Sequence, residues 1–484
     1  MIEMTLAEVA EVTGGTLADA DPRARVTGEV EFDSRRVGPG GLFVAFVGQR
    51  VDGHDFARAA VAAGAVAVMG TRRVDGVPMV LVADPLAALA ALARAVVNRL
   101  DGLTVVGLTG SSGKTTTKDL VAQLVARLGA TVAPVGSFNN ELGHPYTVLK
   151  ARPDTRFLVL EKATRGPGHI SYLCRVAPPH VGVVLNVGVS HIGGFGSVEA
   201  IAAAKGELVE ALPPDGVAVL NLDDPNVAAM ARRTPATVLG YAVGPDGHRT
   251  AGGLRPAVRA TDVVLDERGR ASFRLVTPEG CARVRLAVSG AHQVGKSLAA
   301  AAVARHLGMP LPQLAEALGE LTIRSPRRMD VYDRPDGVTV IDDSYNANPA
   351  SMAVALRALA ALGHPPTGPR RRTVAVLGYM AELGHHERGG HEEVGALAAD
   401  LEVDLLVVVG DAAAGIHHGA ASREGWGGEA VLVADQDEAV AVLRERLRGG
   451  EVVLVKGSRY RTWEVADWLR AAEPHQRQPV EAAS

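Results

Sequence analysis

Short runs of Val, Leu and Ile alternate with Ala-rich stretches of helical pattern along nearly the whole chain. Such apolar runs predict strands buried on both faces, and their alternation with helices predicts parallel sheets covered by helices. The alternation falls into three blocks. In residues 1–102 it predicts strands at 26–32, 42–47 and 65–69 and helices at 55–63 and 85–98. A turn-rich segment, DSRRVGPGG, separates the first two strands. Residues 103–325 open on the buried-strand run TVVGLT, then a Gly/Ser turn and a helix at 114–128. Further strands are predicted at 157–161, 181–187 and 217–221, and helices at 297–307 and 311–319. Between them, 258–288 alternates apolar and polar residues and predicts antiparallel hairpins. In residues 326–484, strands at 338–342, 374–377, 405–409, 431–433 and 452–455 each alternate with a helix, a Rossmann-like pattern. GPDGHRTAGGLRP and GHPPTGPRRR read as exposed loops, and the end of the chain from Glu473 as frayed. No unit of 20 to 50 residues recurs, which excludes a solenoid.

Composition narrows this picture without changing it. A chain of 484 residues has room for about three domains. Lys and Arg total 50 against 54 Asp and Glu, so the basic excess that nucleic-acid binding needs is missing. Cys174 and Cys281 are too few for a disulfide framework or a four-cysteine zinc site, which fits a reducing cytoplasm. The N-terminus, MIEMTLAEVAEV, carries acids where a signal peptide has basic residues. Arg94, Arg127 and Arg305 interrupt the longest apolar runs, so no membrane span is expected.

The candidate chemistry lies at strand ends. GLTGSSGKTTTKDL (107–120) follows a buried strand and opens a helix. Gly110, Ser111, Ser112 and Gly113 are small enough for backbone N–H groups to close around phosphate oxygens. Thr116 continues the first helical turn, whose dipole favours anions. Lys114 would reach the terminal phosphates and the Thr115 hydroxyl would ligate Mg²⁺. The strict pattern G-x-x-x-x-G-K-[ST] is met instead by GAHQVGKS (290–297), also between a strand and a helix. The first loop is the more open to phosphate, but the residues alone leave both standing.

Glu161 ends a strand and suits either a Mg²⁺ ligand or a solvated acid. His191, on the Gly-rich loop NVGVSHIGGFGS, and Lys205, in AIAAAKGELVEAL, would alone read as structural or surface residues. DDSYNANPASM (342–352) gathers too many polar groups for a simple turn and reads as a binding loop. KGSRYRTWE (456–464) places cations at the end of the last strand, suited to anionic groups. HHERGGHEE (385–393) admits a zinc reading, but a helix start with solvated charges is preferred.

Taken in order, DSRRVGPGGLFVAFVGQRVDGHDF, TGSSGKTTTK, GSFNNELGHP, NVGVSHIGGFGS with AAKGEL, DDSYNANPASM and KGSR resemble the Mur ligase family, from about residue 5 to 470. GSFNNELG and DDSYNANPASM point to the branch that adds D-Ala-D-Ala to a UDP-N-acetylmuramoyl-tripeptide in peptidoglycan synthesis. A paralogue joining another carboxylate and amine, and a nucleotide-binding partner without turnover, are the alternatives. The resemblance implies a three-domain α/β fold: a UDP-substrate domain (1–102), a P-loop ATP-binding domain (103–325) and a Rossmann-like domain (326–484) that closes on nucleotide and amine. It implies a cytoplasmic monomer acting on small molecules through an acyl phosphate, with ATP and two Mg²⁺. It selects the first loop for phosphate, with Lys114 on the β- and γ-phosphates and Thr115 and Glu161 on one metal. His191 and a carbamylated Lys205 stand at the second. His292 and Lys296 fall on the family's adenine element, H-N-x-x-N. Ser34 and Arg35 match the uridine-binding region, and Asn139 and Asn140 match substrate-side residues. Asp343, Tyr345, Asn346 and Asn348 stand where the third domain closes. Arg327 or Arg328 approaches the ribose or phosphates, and Lys456 and Ser458 face substrate.

Four places depart from the family pattern. Lys162-Ala163-Thr164 replaces Met-Gly-Ala after Glu161, which puts a competing cation beside a metal ligand. Gln293 and Lys296 replace the asparagines of the adenine element; lysine donates but cannot accept. Tyr379-Met380 replaces Asp-Met. Tyr460, Thr462 and Trp463 replace smaller groups or Met and are expected to narrow the amine pocket.

Overall fold

The structure is a computed structural model, described for residues 1–134, 136–188, 192–245, 253–365, 368–458 and 461–471. Three large sheets organise it. The first has five strands, in the spatial order Thr16–Ala18, Met79–Leu81, Ala65–Gly70, Gly41–Val44 and Val30–Glu31, parallel except at the Thr16–Ala18 edge. Helix Pro85–Asn98 has the bounds its sequence predicts, because Asp84 caps it and Pro85 occupies its first turn. The predicted strand at 26–32 divides instead into Arg25–Val26, which pairs with Met4–Thr5, and Val30–Glu31 in the large sheet. The break lies at Gly28, where a Cβ would stand 2.6 Å from the Pro39 carbonyl oxygen. An apolar run cannot stay straight where another backbone crosses so closely.

The second sheet has nine strands. Thr131–Val132, Phe157–Glu161, Thr104–Thr109, Val181–Val184, Val217–Asn221, Thr237–Val243 and Val258–Leu265 run parallel, and Arg270–Thr277 and Gly280–Ser289 add the predicted antiparallel hairpins. Thr104–Thr109 lies between Phe157–Glu161 and Val181–Val184, so the strands that follow it stand on both its sides and a crevice opens at its carboxyl end. Helix Lys114–Val125 leaves that end and packs beside helix Gln293–His306. The latter starts four residues before its predicted bound and is buried over most of its length, with alanines at 299–302 and 304 that let neighbours approach. Leu158, Leu160, Val148 and Val176 share one apolar cluster with Met4, Leu6, Leu89 and Leu92, so the first sheet's helices dock on the central sheet through a common core.

The third sheet runs Asp330–Asp333, Thr339–Asp342, Val452–Lys456, Thr373–Gly378, Leu405–Val409, Glu429–Val433, parallel after its first strand. Residues following its three middle strands meet the phosphate loop across a single cleft. Among the described residues no helix is long and apolar enough to cross a membrane.

Candidate active site

The cleft holds about 600 Å³ and is lined from both sides, by Ser111–Thr116 below and by Arg328, Asp343, Tyr345–Asn348 and Lys456 above. The loop at 110–113 is shaped by its neighbours. The Ser112 amide donates to Asn186 Oδ1 at 2.9 Å, and the Ser111 hydroxyl donates to the Gly188 carbonyl at 3.1 Å. Asn186 carries no signal of its own in the sequence beyond its place in NVGVSHIGGFGS. Gly113 has a φ of 80°, in the left-handed region that favours glycine, and caps the helix with no side-chain partner. The first-turn amides behind it therefore point into the cleft without intrahelical acceptors, as an anion requires.

The second glycine-lysine segment is built differently. Its amides close on themselves in a turn, Gln293 to Gly290 and Val294 to Ala291, and helix begins at once. It forms no open loop. Its helix instead delivers Lys296 and His292 to the wall of the same cleft.

Lys114 is half-buried and donates to the Gly110 carbonyl at 2.7 Å. Desolvation holds its pKa below the usual lysine range, with Glu161 opposing and Arg328 reinforcing that shift. Thr115 and Thr116 are buried beside it. Glu161 ends its strand with its carboxylate wholly buried. Asn139 Nδ2 donates to Oε2 at 3.1 Å, whereas Oε1 has no hydrogen-bond partner among the described residues. An ionised carboxylate left half-satisfied in the interior is costly unless a cation completes it. Together with the Thr115 hydroxyl, it fits an oxygen-ligated Mg²⁺.

Lys205, on helix Val198–Glu210, is buried and makes no hydrogen bond or ion pair among the described residues. Burial, and then the charge of Lys114, push its pKa well below the ordinary lysine value. His191 lies outside the described residues.

On the upper wall, Lys456 Nζ binds Asp343 Oδ2 at 2.5 Å and the Asn346 carbonyl at 2.8 Å. Asp343 Oδ1 also accepts the Met329 amide. Arg328 stacks over the Tyr345 ring at 3.9 Å, and the Tyr345 hydroxyl meets Ser137 across the cleft. The choice between two arginines resolves sterically: Arg328 faces the cleft, while Arg327 pairs with Asp467. Asn348 lines the cleft and also caps helix Pro349–Gly363. The Ser458 hydroxyl donates to Tyr379 O at 2.9 Å and accepts from Ala381 N.

Some sequence-picked residues are not brought here. Asn140 Oδ1 accepts the Gly143 amide and does not line the cleft. Ser34 and Arg35 sit on a turn of the first domain, where Arg35 forks onto Asp33 at 2.9 and 2.7 Å. The departures also fall elsewhere than expected. Lys162 points away from Glu161, as alternation along an extended chain requires. It donates to the Leu173 and Ala177 carbonyls, both at 3.1 Å, at the end of helix His169–Val176, and contacts His144 Nε2. It is a helix cap, not a competitor for the metal. Thr462 is buried against Gly378 and Gly457, and Trp463 lies under Arg327, so neither narrows the cleft. Tyr460 lies outside the described residues. In HHERGGHEE a helix does start, at Glu387, but His391 is not a solvated charge: it is a buried strut accepting from Met380 N and contacting Glu387 O.

A phosphate loop, an unsatisfied buried glutamate and a facing domain of cations define an ATP-using α/β enzyme site, and comparison with known proteins agrees. The chain matches the Mur ligase family, catalytic domain, over residues 28–96. It matches the Mur ligase middle domain over 108–304 and the Mur ligase, glutamate ligase domain, over 327–459. It belongs to the Mur ligase family. The UDP-N-acetylmuramoyl-tripeptide–D-alanyl-D-alanine ligase of Mycobacterium tuberculosis is 50% identical over 95% of this chain and 96% of its own. The Escherichia coli ligase of the same name is 32% identical over the same shares. Among solved structures, MurF from Acinetobacter baumannii superposes with a TM-score of 0.84 at 30% identity, covering 97% of this chain and 99% of that one. MurF ligase from Thermotoga maritima in complex with ADP gives 0.76 at 30% identity, covering 92% and 98%.

Proposed function

We propose that this chain is an ATP-dependent, ADP-forming ligase that joins D-Ala-D-Ala to UDP-N-acetylmuramoyl-tripeptide in the cytoplasmic assembly of peptidoglycan precursor, acting as a monomer. The observation that carries the reading is the match to ligases of that name across 95% of the chain. The cleft supports it.

In this reading the peptide carboxylate attacks the γ-phosphorus of ATP, ADP leaves, and an acyl phosphate forms. The dipeptide amine then attacks the acyl carbon, and the tetrahedral intermediate collapses to amide and phosphate. The first step brings two anions together, so it needs cations placed in advance. Lys114 and the loop amides hold the β- and γ-phosphates, and Arg328 reaches them from above. Thr115 and Glu161 would hold one Mg²⁺, and His191 and Lys205 would hold the second. Bound there, the metals offset charge on the phosphoryl oxygens. Lys205 is suited to carbamylation: a buried amine kept neutral adds to CO₂, loses a proton and becomes an anion beside Lys114. Closure of the upper domain excludes water from the acyl phosphate. Asn139, Tyr345, Asn346, Asn348, Lys456 and Ser458 position the substrates, and Ser34 and Arg35 the uridine end.

The test is phosphate release with ATP and Mg²⁺, with UDP-N-acetylmuramoyl-tripeptide and D-Ala-D-Ala each omitted in turn, and mass spectrometry of the product. Release that requires both and yields the UDP-pentapeptide is expected. Nucleotide binding without any product would turn the search to other carboxylate and amine pairs.

A further inference from the structure

Two lysines serve this cleft from neighbouring helices. Lys114 belongs to the phosphate loop. Lys296 arrives from the first turn of helix Gln293–His306, which packs along the phosphate-loop helix. Its stem crosses the loop's cap: a Cβ at Gly113 would lie 3.1 Å from Lys296 Cε and 3.8 Å from Cδ. A side chain at 113 would press on this stem, in addition to the strain its φ imposes.

The ammonium of Lys296 lines the cleft and donates to no described residue. The acid whose charge acts on it, Asp343, is already bound to Lys456. Arg328 and Lys456 add positive charge around it, and desolvation brings its pKa down to about 8. A cation held among cations, with its donors unfilled beside a helix N-terminus, lacks an anion from outside the protein.

We propose that Lys296 is a direct ligand of the nucleotide's polyphosphate, so that it sets affinity for the phosphates and does not read the base. This rests on the ligase reading above. An ammonium offers only donors, whereas a base edge presents donors and acceptors together. Phosphoryl oxygens, which the loop at Gly113 would hold, present acceptors alone.

The experiment is calorimetric titration of the purified chain with MgADP and, separately, with inorganic tripolyphosphate, which has no base. For Lys296→Met, both affinities are expected to fall by about tenfold or more, the effect of losing a charge-assisted hydrogen bond. Lys296→Arg, which keeps the charge, should remain within about threefold of the wild type. Weakened ADP binding with unchanged tripolyphosphate binding would make Lys296 a base contact and overturn the proposal. So would unchanged binding of both, an equal loss in the Met and Arg variants, or a wild-type cleft that takes ADP but not tripolyphosphate. A wild-type chain that binds neither ligand removes the ligase reading itself.

Discussion

Asp119, on the phosphate-loop helix, holds Ser325, just before the chain crosses into the third domain. Its carboxylate accepts the Ser325 amide at 2.8 Å, the Ser325 hydroxyl at 3.1 Å and the Arg324 amide at 3.2 Å. Lys118, also buried, donates to Asp119 at 2.5 Å and to the Pro134 carbonyl at 2.7 Å. Helix Lys114–Val125 therefore also anchors the linker to the third domain. Asp119→Ala leaves the Lys118 charge buried without its partner, which costs about 3–5 kcal/mol. Urea denaturation should show that loss, and Lys118→Met/Asp119→Leu should recover part of it. A loss below about 1 kcal/mol in the single variant would mean the pair is not desolvated as described.

Lys114→Ala is expected to abolish phosphate release while the chain remains folded, because the group facing the terminal phosphates is gone. Turnover by rapid quench and melting by circular dichroism separate the two effects. Activity within about tenfold of wild type would move the phosphate site elsewhere.

Lys205→Ala is expected to lose turnover and to regain part of it in buffers containing small carboxylates, which fill the place of the carbamate. Phosphate release measured against formate or acetate concentration checks this. Full activity without rescue would exclude any part for the carbamate.

Gly193 and Gly384 meet where the loop after the third sheet's Thr373–Gly378 touches the central domain. A Cβ at Gly384 would lie 2.8 Å from Gly193 Cα, and Gly384 has a φ of 57°. A side chain at 384 would have to push the two backbones apart. Gly384→Val should lower kcat by tenfold or more, on the order of the cost of misplacing a reacting group, with ADP affinity changed less. Kinetics and calorimetry on the same preparation decide it; an unchanged kcat would show that this contact is not needed for closure.

Lys162 predicts a pH effect. Burial lowers its folded-state pKa, so between that value and the unfolded value near 10.4 the unfolded chain binds more protons. Its contribution to stability therefore rises as pH climbs through this window and falls again as pH drops towards the folded-state pKa. The stability of wild type relative to Lys162→Met should increase with pH on the alkaline side, as read from urea unfolding at a series of pH values. A difference that stays flat would mean the ammonium is not desolvated.

Local signals in the sequence reached far. Pro85–Asn98, Phe157–Glu161, Val217–Asn221, Leu311–Gly319 and Leu405–Val409 have the bounds their pattern predicts, since caps and apolar runs act within a few residues. Helix Leu6–Thr13 was not among the predicted elements; the structure shows it held by a Thr5–Glu8 capping box and closed at Gly14. The short edge strands Thr131–Val132 and Asp330–Asp333 carry no such signal, because a neighbouring strand defines them more than their own residues do.

By itself the sequence determined the alternation of strands and helices and the family, and it narrowed the phosphate loop to two glycine-lysine segments. Those depend on residue type and spacing along one segment. Only the tertiary structure decided which way Lys162 points, that Arg328 and not Arg327 enters the cleft, that Asn140 accepts the Gly143 amide outside the cleft, and that Lys296 lies across Gly113. Each depends on which face of an element is turned towards a distant part of the chain. Pattern gives the period of a strand or helix, but packing of whole elements sets its rotation and its neighbours.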